Sequence, residues 1–247
     1  MIAGLDAPTL AYAWAAIFLG GFVRGYSGFG SSMIWVSSLT LVIPPAEIVP
    51  ILLALEVLAS VHLLPKAWFQ VEWSSVGWLT ISAWVATPFG VWLLATTPTR
   101  QMQVAISLVV LLSAILLWHG YRLARTPGKP ATVATGIVSG VLNGATSAGG
   151  PPVVIFYFSS PAGMNAQRAS LIAYFLGSDA LGVIVAALSG LMTWDSVVRI
   201  ALFVPAMLGG TALGGRQFLR ATPEAFRRAA LVLLMTLGIV GIVRAIV

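Results

Sequence analysis

The sequence predicts an all-α polytopic membrane protein made of two inverted repeats, each with a broken or re-entrant helix pair followed by three full transmembrane helices. Two observations predict this class: an apolar composition and a duplicated order of glycine-rich segments. Of the 247 residues, 59% are hydrophobic and only 8% are charged. A soluble domain carries about 25% charged residues. The chain therefore lacks the polar surface that water requires, and lipid is the expected solvent.

Charge and cysteine content exclude several other classes. The formal net charge is +6 and cysteine is absent. Arg and Lys lie mostly in loops and at helix ends, where they orient membrane proteins, so we do not expect a nucleic-acid partner. Without cysteine, disulfides and thiolate metal sites are impossible. No cofactor is expected, and no basic region precedes the first apolar run, so no removable signal peptide is predicted.

Ten apolar segments follow one another with short connections. About 20 apolar residues cross a bilayer, and three segments in each half reach that length. The segments are Thr9–Phe22, Ser32–Ile43, Ala46–Leu64, Ser74–Thr96, Met102–Tyr121, Ala131–Leu142, Pro152–Phe158, Ala169–Ser189, Val197–Gly215 and Ala229–Val247.

The two short segments of each half flank glycine-rich sequence. We call Arg24–Ser31 the first glycine segment and Asn143–Pro151 the second. Glycine lowers helix propensity, and Pro151–Pro152 cannot continue a helical hydrogen-bond ladder. Each half is therefore predicted to open with two half-length helices joined by irregular backbone, either re-entrant or crossing as two short spans.

The halves resemble each other in sequence. Gly21-x-x-Arg24-Gly25-x-Ser27-x-x-Gly30 aligns without a gap to Gly140-x-x-Asn143-Gly144-x-Thr146-x-x-Gly149. Further matches follow in the same order, Trp73-Ser74-Ser75-Val76 with Trp194-Asp195-Ser196-Val197 and Thr97-Pro98 with Thr222-Pro223. Shared order over such a length indicates internal duplication. We expect repeats over 1–125 and 126–247 that together form one integral membrane domain.

Basic residues predict the orientation of the halves. The loop between them holds Arg122, Arg125 and Lys129, and the last long loop also is basic, so both are expected in the cytoplasm. The equivalent of that last loop in the first half, around Thr97–Arg100, lies one helix away from the basic inter-half loop and is expected outside. Matching loops on opposite sides imply inverted repeats, with both termini outside.

The glycine segments are the predicted binding site for a small anion. Half-helix N-termini at the bilayer midplane present free N–H groups to anionic substrates, and glycine allows close backbone approach. Hydroxyl, amide and guanidinium groups add donors, although the glycines could serve helix packing alone, Arg24 could snorkel to an interface and Arg168 could be an ordinary helix-end cation. The candidate substrate-binding residues are Arg24, Gly25, Tyr26, Ser27, Gly28, Gly30, Ser31, Asn143, Gly144, Thr146, Ser147, Gly149, Gly150 and Arg168.

Two carboxylates lie near the middle of predicted membrane helices. Glu56 is in Ala46–Leu64 and Asp179 is in Ala169–Ser189. An intramembrane acid is by default a functional group, either coupling protons to transport or pairing with an arginine. Both are candidates for proton coupling, and a structural ion pair is the alternative.

The two motifs resemble those of a known family. Gly20–Gly30 and Gly140–Pro152 are similar to the two signature segments of the TauE/SafE sulfite exporter family, and the resemblance extends over nearly the whole chain. It implies transport of sulfite, sulfoacetate or related small anions across a bacterial inner membrane.

The leading prediction is a secondary anion transporter that works by alternating access. Its expected partners are the lipid bilayer and a small anionic substrate. Proton coupling and homo-oligomerisation are left open. A passive anion channel and a carboxylate transporter are the alternatives. A membrane enzyme or a sensor subunit is disfavoured, since no catalytic grouping, metal-ligand cluster or nucleotide-binding motif appears.

Overall fold

A computed structural model describes residues 4–119, 128–161, 163–217, 232 and 235–243. Within these ranges the chain forms nine numbered α-helices and a short 3₁₀ turn, and residues 235–243 are helical as well. The helices are α1 Ala7–Ser27, α2 Ser31–Leu39, α3 Pro45–Ala67, α4 Trp73–Thr96, α5 Thr99–Trp118, α6 Lys129–Thr146, α7 Gly150–Phe158, α8 Met164–Leu188 and α9 Trp194–Gln217.

The described helices fit a polytopic membrane protein. Five of them are long and apolar enough to cross a bilayer: α3 with its 3₁₀ extension, α4, α5, α8 and α9. Their outer faces expose large apolar side chains such as Val85, Phe89 and Leu188. These helices confirm five of the six predicted full spans. The sixth, Ala229–Val247, lies partly outside the described residues, as do Arg122, Arg125 and most of the last basic loop.

The first helix of each broken pair is longer than the sequence predicted. Helix α1 has 21 residues and α6 has 18, so the expectation of half-length helices is wrong for these two. Both continue through glycine-containing sequence because Gly25 and Gly144 keep helical geometry while their bare faces pack on other helices. Helices α2 and α7 have nine residues each, a rise of about 14 Å, which is far below the ~30 Å hydrocarbon thickness.

Two pairs of parallel helices each combine one helix of the first half with one helix of the second half. Helix α1 packs on α9 and α6 packs on α4. A Cβ on Gly21 would lie 2.7 Å from the Met207 carbonyl, and one on Gly214 would collide with the Phe22 carbonyl. The α4–α6 contact is built in the same way, with Gly140 against the Ala83 carbonyl. Glycines on both seams therefore bring helix backbones into contact.

Helices α3 and α8 form the centre of the fold and run antiparallel. The Leu53 side chain, early in α3, lies against Gly182, late in α8. Beyond the end of α3, the Glu72 N–H donates a 2.9 Å hydrogen bond to the Ser170 hydroxyl near the start of α8. Most of the buried polar groups of the candidate site belong to this pair or to the ends of α1 and α6.

Candidate functional site

The first glycine segment turns the chain from α1 into α2. Gly28 ends α1 in the left-handed conformation, with φ of 83°, and its N–H donates to the Arg24 carbonyl at 2.7 Å. Gly30 has φ of 87° and precedes α2, whose N-terminus receives no side-chain cap. Glycine is required at both positions because L side chains are strained there. The first N–H groups of α2 therefore lack a side-chain acceptor from the cap position.

The second glycine segment turns the chain from α6 into α7 in the same way, except that serine replaces glycine at one position. Ser147 occupies the position equivalent to Gly28, and its N–H donates to the Asn143 carbonyl at 2.8 Å. Its φ of 56° makes it the one described non-glycine residue with positive φ. Its buried hydroxyl has no hydrogen-bond partner. Ser147 thus combines a strained backbone with a buried, unpartnered hydroxyl.

Helix α7 also starts without a side-chain cap. Two hydrogen bonds in series fix the turn before α7. The Tyr174 hydroxyl donates to the Ser139 hydroxyl at 2.7 Å, and the Ser139 hydroxyl donates to the Gly149 carbonyl. A Cβ on Gly149 would lie 2.6 Å from the Asn143 Cβ, so only glycine fits this turn. The geometry of the turn is thus fixed by residues of α6 and α8.

Arg24 lies inside the protein, in the last turn of α1, and not at an interface. Its side chain is 1% exposed. Its Nη1 atom lies 2.6 Å from the Glu56 carboxylate, and its Nη2 donates to the Ser60 hydroxyl at 2.6 Å. The guanidinium carbon is 5.1 Å from the centre of the Phe175 ring, a cation–π distance. The Arg24 Nε has no hydrogen-bond partner, so the buried cation retains one free donor.

Glu56 reaches the N-terminus of α2. One carboxylate oxygen accepts a short hydrogen bond from the Ser31 hydroxyl, and the other pairs with Arg24. Ser31 is the first residue of α2. The positive end of this helix and the arginine thus converge on one carboxylate.

Asn143 and Asp179 form the corresponding contact of the second half. The Asn143 amide nitrogen donates to Asp179 at 2.6 Å and to the Ser178 hydroxyl at 3.1 Å. With both amide hydrogens engaged, the Asn143 oxygen and the second Asp179 oxygen remain without partners. Both side chains are 1% exposed.

Phe175 joins the two glycine segments. The Arg24 guanidinium lies over its ring, and a Cβ on Gly150 would lie 3.2 Å from the Cζ atom at the ring edge. Asp179, one turn further along α8, lies within electrostatic range of Glu56 and Arg24. The ends of α1 and α6 and the starts of α2 and α7 therefore meet around the centre of α3 and α8.

Arg168 lies beside the first glycine segment. Its Nη2 donates to the Gly25 carbonyl at 2.9 Å, and its side chain covers Gly28. It is in electrostatic range of Arg24. The structure thus brings the predicted Arg168 to the same region, as a second cation at the end of α1.

Other predicted residues have local roles in this conformation. The Ser27 hydroxyl lies 2.8 Å from the Val23 carbonyl, and the Thr146 hydroxyl donates to the Leu142 carbonyl at 2.7 Å. Gly25 and Gly144 sit directly on the backbones of α9 and α4, which is the packing role that the sequence left open. Tyr26 is buried in the last turn of α1.

Sequence reasoning missed several residues that contact the glycine segments or their buried charged groups. The gap-free register that aligns Arg24 with Asn143 also aligns Ser60 with Asp179 and Glu56 with Phe175. Extending the repeat past the glycine segments would have identified these positions. Ser139 and Tyr174 carry no such signal. The missed residues are Ser60, Ser139, Tyr174 and Phe175.

The fold and the buried ionic cluster define an integral membrane protein with a polar site at the meeting point of interrupted helices. The family model described as "Sulfite exporter TauE/SafE" matches residues 13–241. The chain belongs to this family, which confirms the resemblance and makes it a membrane transporter and not an enzyme.

One curated relative has a described function. A Cupriavidus necator protein, described as a probable sulfite/organosulfonate exporter TauE, is 26% identical over 233 residues, covering 91% of this chain and 90% of the relative. No solved structure matches the chain.

Proposed function

We propose that the chain is a secondary transporter that moves sulfite or small organosulfonates across the bacterial inner membrane. The observation that carries the proposal is the buried Arg24 guanidinium at the N-terminus of α2, with one donor unpartnered. A guanidinium fork suits a sulfur oxyanion, and a helix N-terminus adds N–H donors. The description of the C. necator relative supports the same substrate class.

The binding site lies between the two glycine segments. Arg24, Ser31 and the first N–H groups of α2 contribute on one side. Ser147 and the Gly150 N–H contribute on the other, since Pro151 and Pro152 at the start of α7 have no N–H. The uncapped starts of both helices and the free Ser147 hydroxyl support this assignment. Gly28, Gly30, Gly149 and Gly150 let the backbone approach the anion, and Arg168 adds positive charge beside the first glycine segment.

Transport proceeds by alternating access between two inverted repeats, 1–125 and 126–247. Support comes from α3 and α8, which correspond in the repeat register and run antiparallel, as an inverted duplication requires. The pairs α1–α9 and α4–α6 supply two glycine-lined seams along which the halves can rock. Both termini face the outside of the cell membrane, as the basic loops indicate.

Glu56 and Asp179 couple transport to protons. Arg24 pairs with Glu56, whereas Asp179 accepts a hydrogen bond from the neutral Asn143, so an ionised Asp179 is a buried charge without an ion-pair partner among the described residues, which is costly away from water. A proton on Asp179 removes this unpaired charge, and the free Asp179 oxygen can receive one. Binding of an anion then changes the charge balance and the demand for protons.

A flux panel in proteoliposomes tests the function. Purified protein is given sulfite, sulfoacetate, taurine and short carboxylates, with and without a pH gradient. Sulfite or sulfonate flux that saturates and accumulates against its gradient is expected, and Arg24→Ala should abolish it. Arg199→Ala is the matched control, since Arg199 pairs with Glu47 away from the cluster.

Three outcomes count against parts of the proposal. Flux that never saturates or accumulates favours a channel. Flux of carboxylates alone rejects the substrate class. No flux of any anion, from protein that is folded and inserted, rejects the transport assignment.

A further inference from the structure

The N-terminus of α2 already holds a carboxylate from the chain itself. Glu56 accepts from the Ser31 hydroxyl through one oxygen and pairs with Arg24 at 2.6 Å through the other. We call the position between Arg24 and the Ser31 end of α2 the anion seat. We propose that Glu56 is an internal competitor that occupies this seat in the empty transporter, and that a transported oxyanion binds by displacing it. This inference rests on the proposed function and specifies how its site is filled.

The seat suits an oxyanion in both charge and geometry. A carboxylate and a sulfonate or sulfite each present two oxygens at similar spacing, so either can bridge the arginine and the helix start. Arg24 keeps the Ser60 hydroxyl on its other nitrogen, and this contact fixes the guanidinium while its partner changes. The Ser31 hydroxyl donates to Glu56 in this conformation, and it can donate to a substrate oxygen once Glu56 leaves.

The second half has no equivalent carboxylate. In the repeat register Glu56 corresponds to Phe175, which lies against Gly150 at the start of α7. There the nearby Ser147 hydroxyl is unpartnered. The competing anion is therefore a feature of the first half alone, where the only arginine of the two aligned positions is found.

The competitor explains how an empty site can change conformation. A buried arginine without a counter-ion is strongly unfavourable, so an empty carrier lacking Glu56 would stall. With Glu56 in the seat, Arg24 is neutralised whether or not substrate is present. The carrier can then return empty, which net export requires and exchange of one anion for another does not.

Anion binding to variants tests the competition. Titration of purified protein with sulfite should show at least about tenfold tighter binding by Glu56→Gln than by the wild type, because the internal anion is gone. In proteoliposomes the same variant should lose net efflux while keeping sulfite–sulfite exchange. Glu47→Gln, which removes a carboxylate from the start of the same helix, should change neither.

A second variant guards against misfolding. Glu56→Asp keeps the charge but shortens the reach to Arg24, so it should bind sulfite more tightly than the wild type and less tightly than Glu56→Gln. If the wild type binds sulfite and a folded Glu56→Gln or Glu56→Asp binds it no more tightly, the competition is rejected while the transport proposal stands. If the wild type binds no sulfite or sulfonate, both are rejected.

Discussion

Asn143 donates a 2.6 Å hydrogen bond to Asp179 at the place where the first half of the chain joins Arg24 to Ser60. The two contacts are equivalent in the repeat register but opposite in charge. The first half places a cation on α1 against a neutral hydroxyl on α3. The second places a neutral amide on α6 against an acid on α8. The two halves thus place the charge on opposite members of equivalent contacts.

Neutralising the two buried acids should separate net transport from exchange. Asp179→Asn keeps an oxygen that can accept from Asn143, so the fold is expected to survive. We expect Asp179→Asn and Glu56→Gln to reduce pH-driven sulfite flux about tenfold or more and to spare exchange, because only net movement needs the proton. Flux with and without an imposed pH gradient measures this. Full pH-driven flux in both variants would reject the coupling role.

Ser147→Gly should stabilise the protein and weaken anion binding. Glycine relieves the strain of a φ of 56°, a gain of up to about 1 kcal/mol, but removes the free hydroxyl. Thermal unfolding in detergent and sulfite titration measure the two effects. Ser147→Ala, which loses the hydroxyl and keeps the strain, is the control. Unchanged sulfite affinity in both would remove Ser147 from the site.

The sequence identified the residues of this candidate site better than it predicted their contacts. A single sequence is enough to identify the polar residues and the glycines of the site, because glycine weakens a helix and polar or charged side chains are rare within membrane segments. These are the glycine segments, Arg24, Asn143, Glu56 and Asp179. Which acid pairs with Arg24 was left open, since that depends on how α1 meets α3. The length of α1 was underestimated because Gly25 weakens an isolated helix, whereas contact with the α9 backbone restores it.

Glycines on the helix seams should respond differently from a glycine that faces open space. A Cβ added to Gly77 would have no neighbour within 4 Å, so Gly77→Ala should stabilise α4 by up to about 1 kcal/mol. Gly140→Ala and Gly214→Ala should lower the thermal stability, since their Cβ atoms would collide with neighbouring carbonyls. Equal effects at all three sites would show that the seams are not tightly packed.

The natural absence of cysteine makes the orientation easy to test. Single substitutions Thr97→Cys and Gly128→Cys place a thiol in loops expected on opposite sides of the membrane. An impermeant maleimide added to spheroplasts should label Thr97→Cys at once and Gly128→Cys only after lysis. Labelling of both from one side would contradict the inverted arrangement.

The position of a bound anion tests the central claim most directly. Selenite is a sulfite analogue whose selenium gives an anomalous diffraction signal. Crystals of the Glu56→Gln variant are soaked in selenite, because removal of the internal carboxylate should raise the occupancy of selenite in the anion seat. We predict a peak between Arg24 and the Ser31 end of α2. A selenium peak found only outside the space between the glycine segments, with that space unoccupied, would contradict the account.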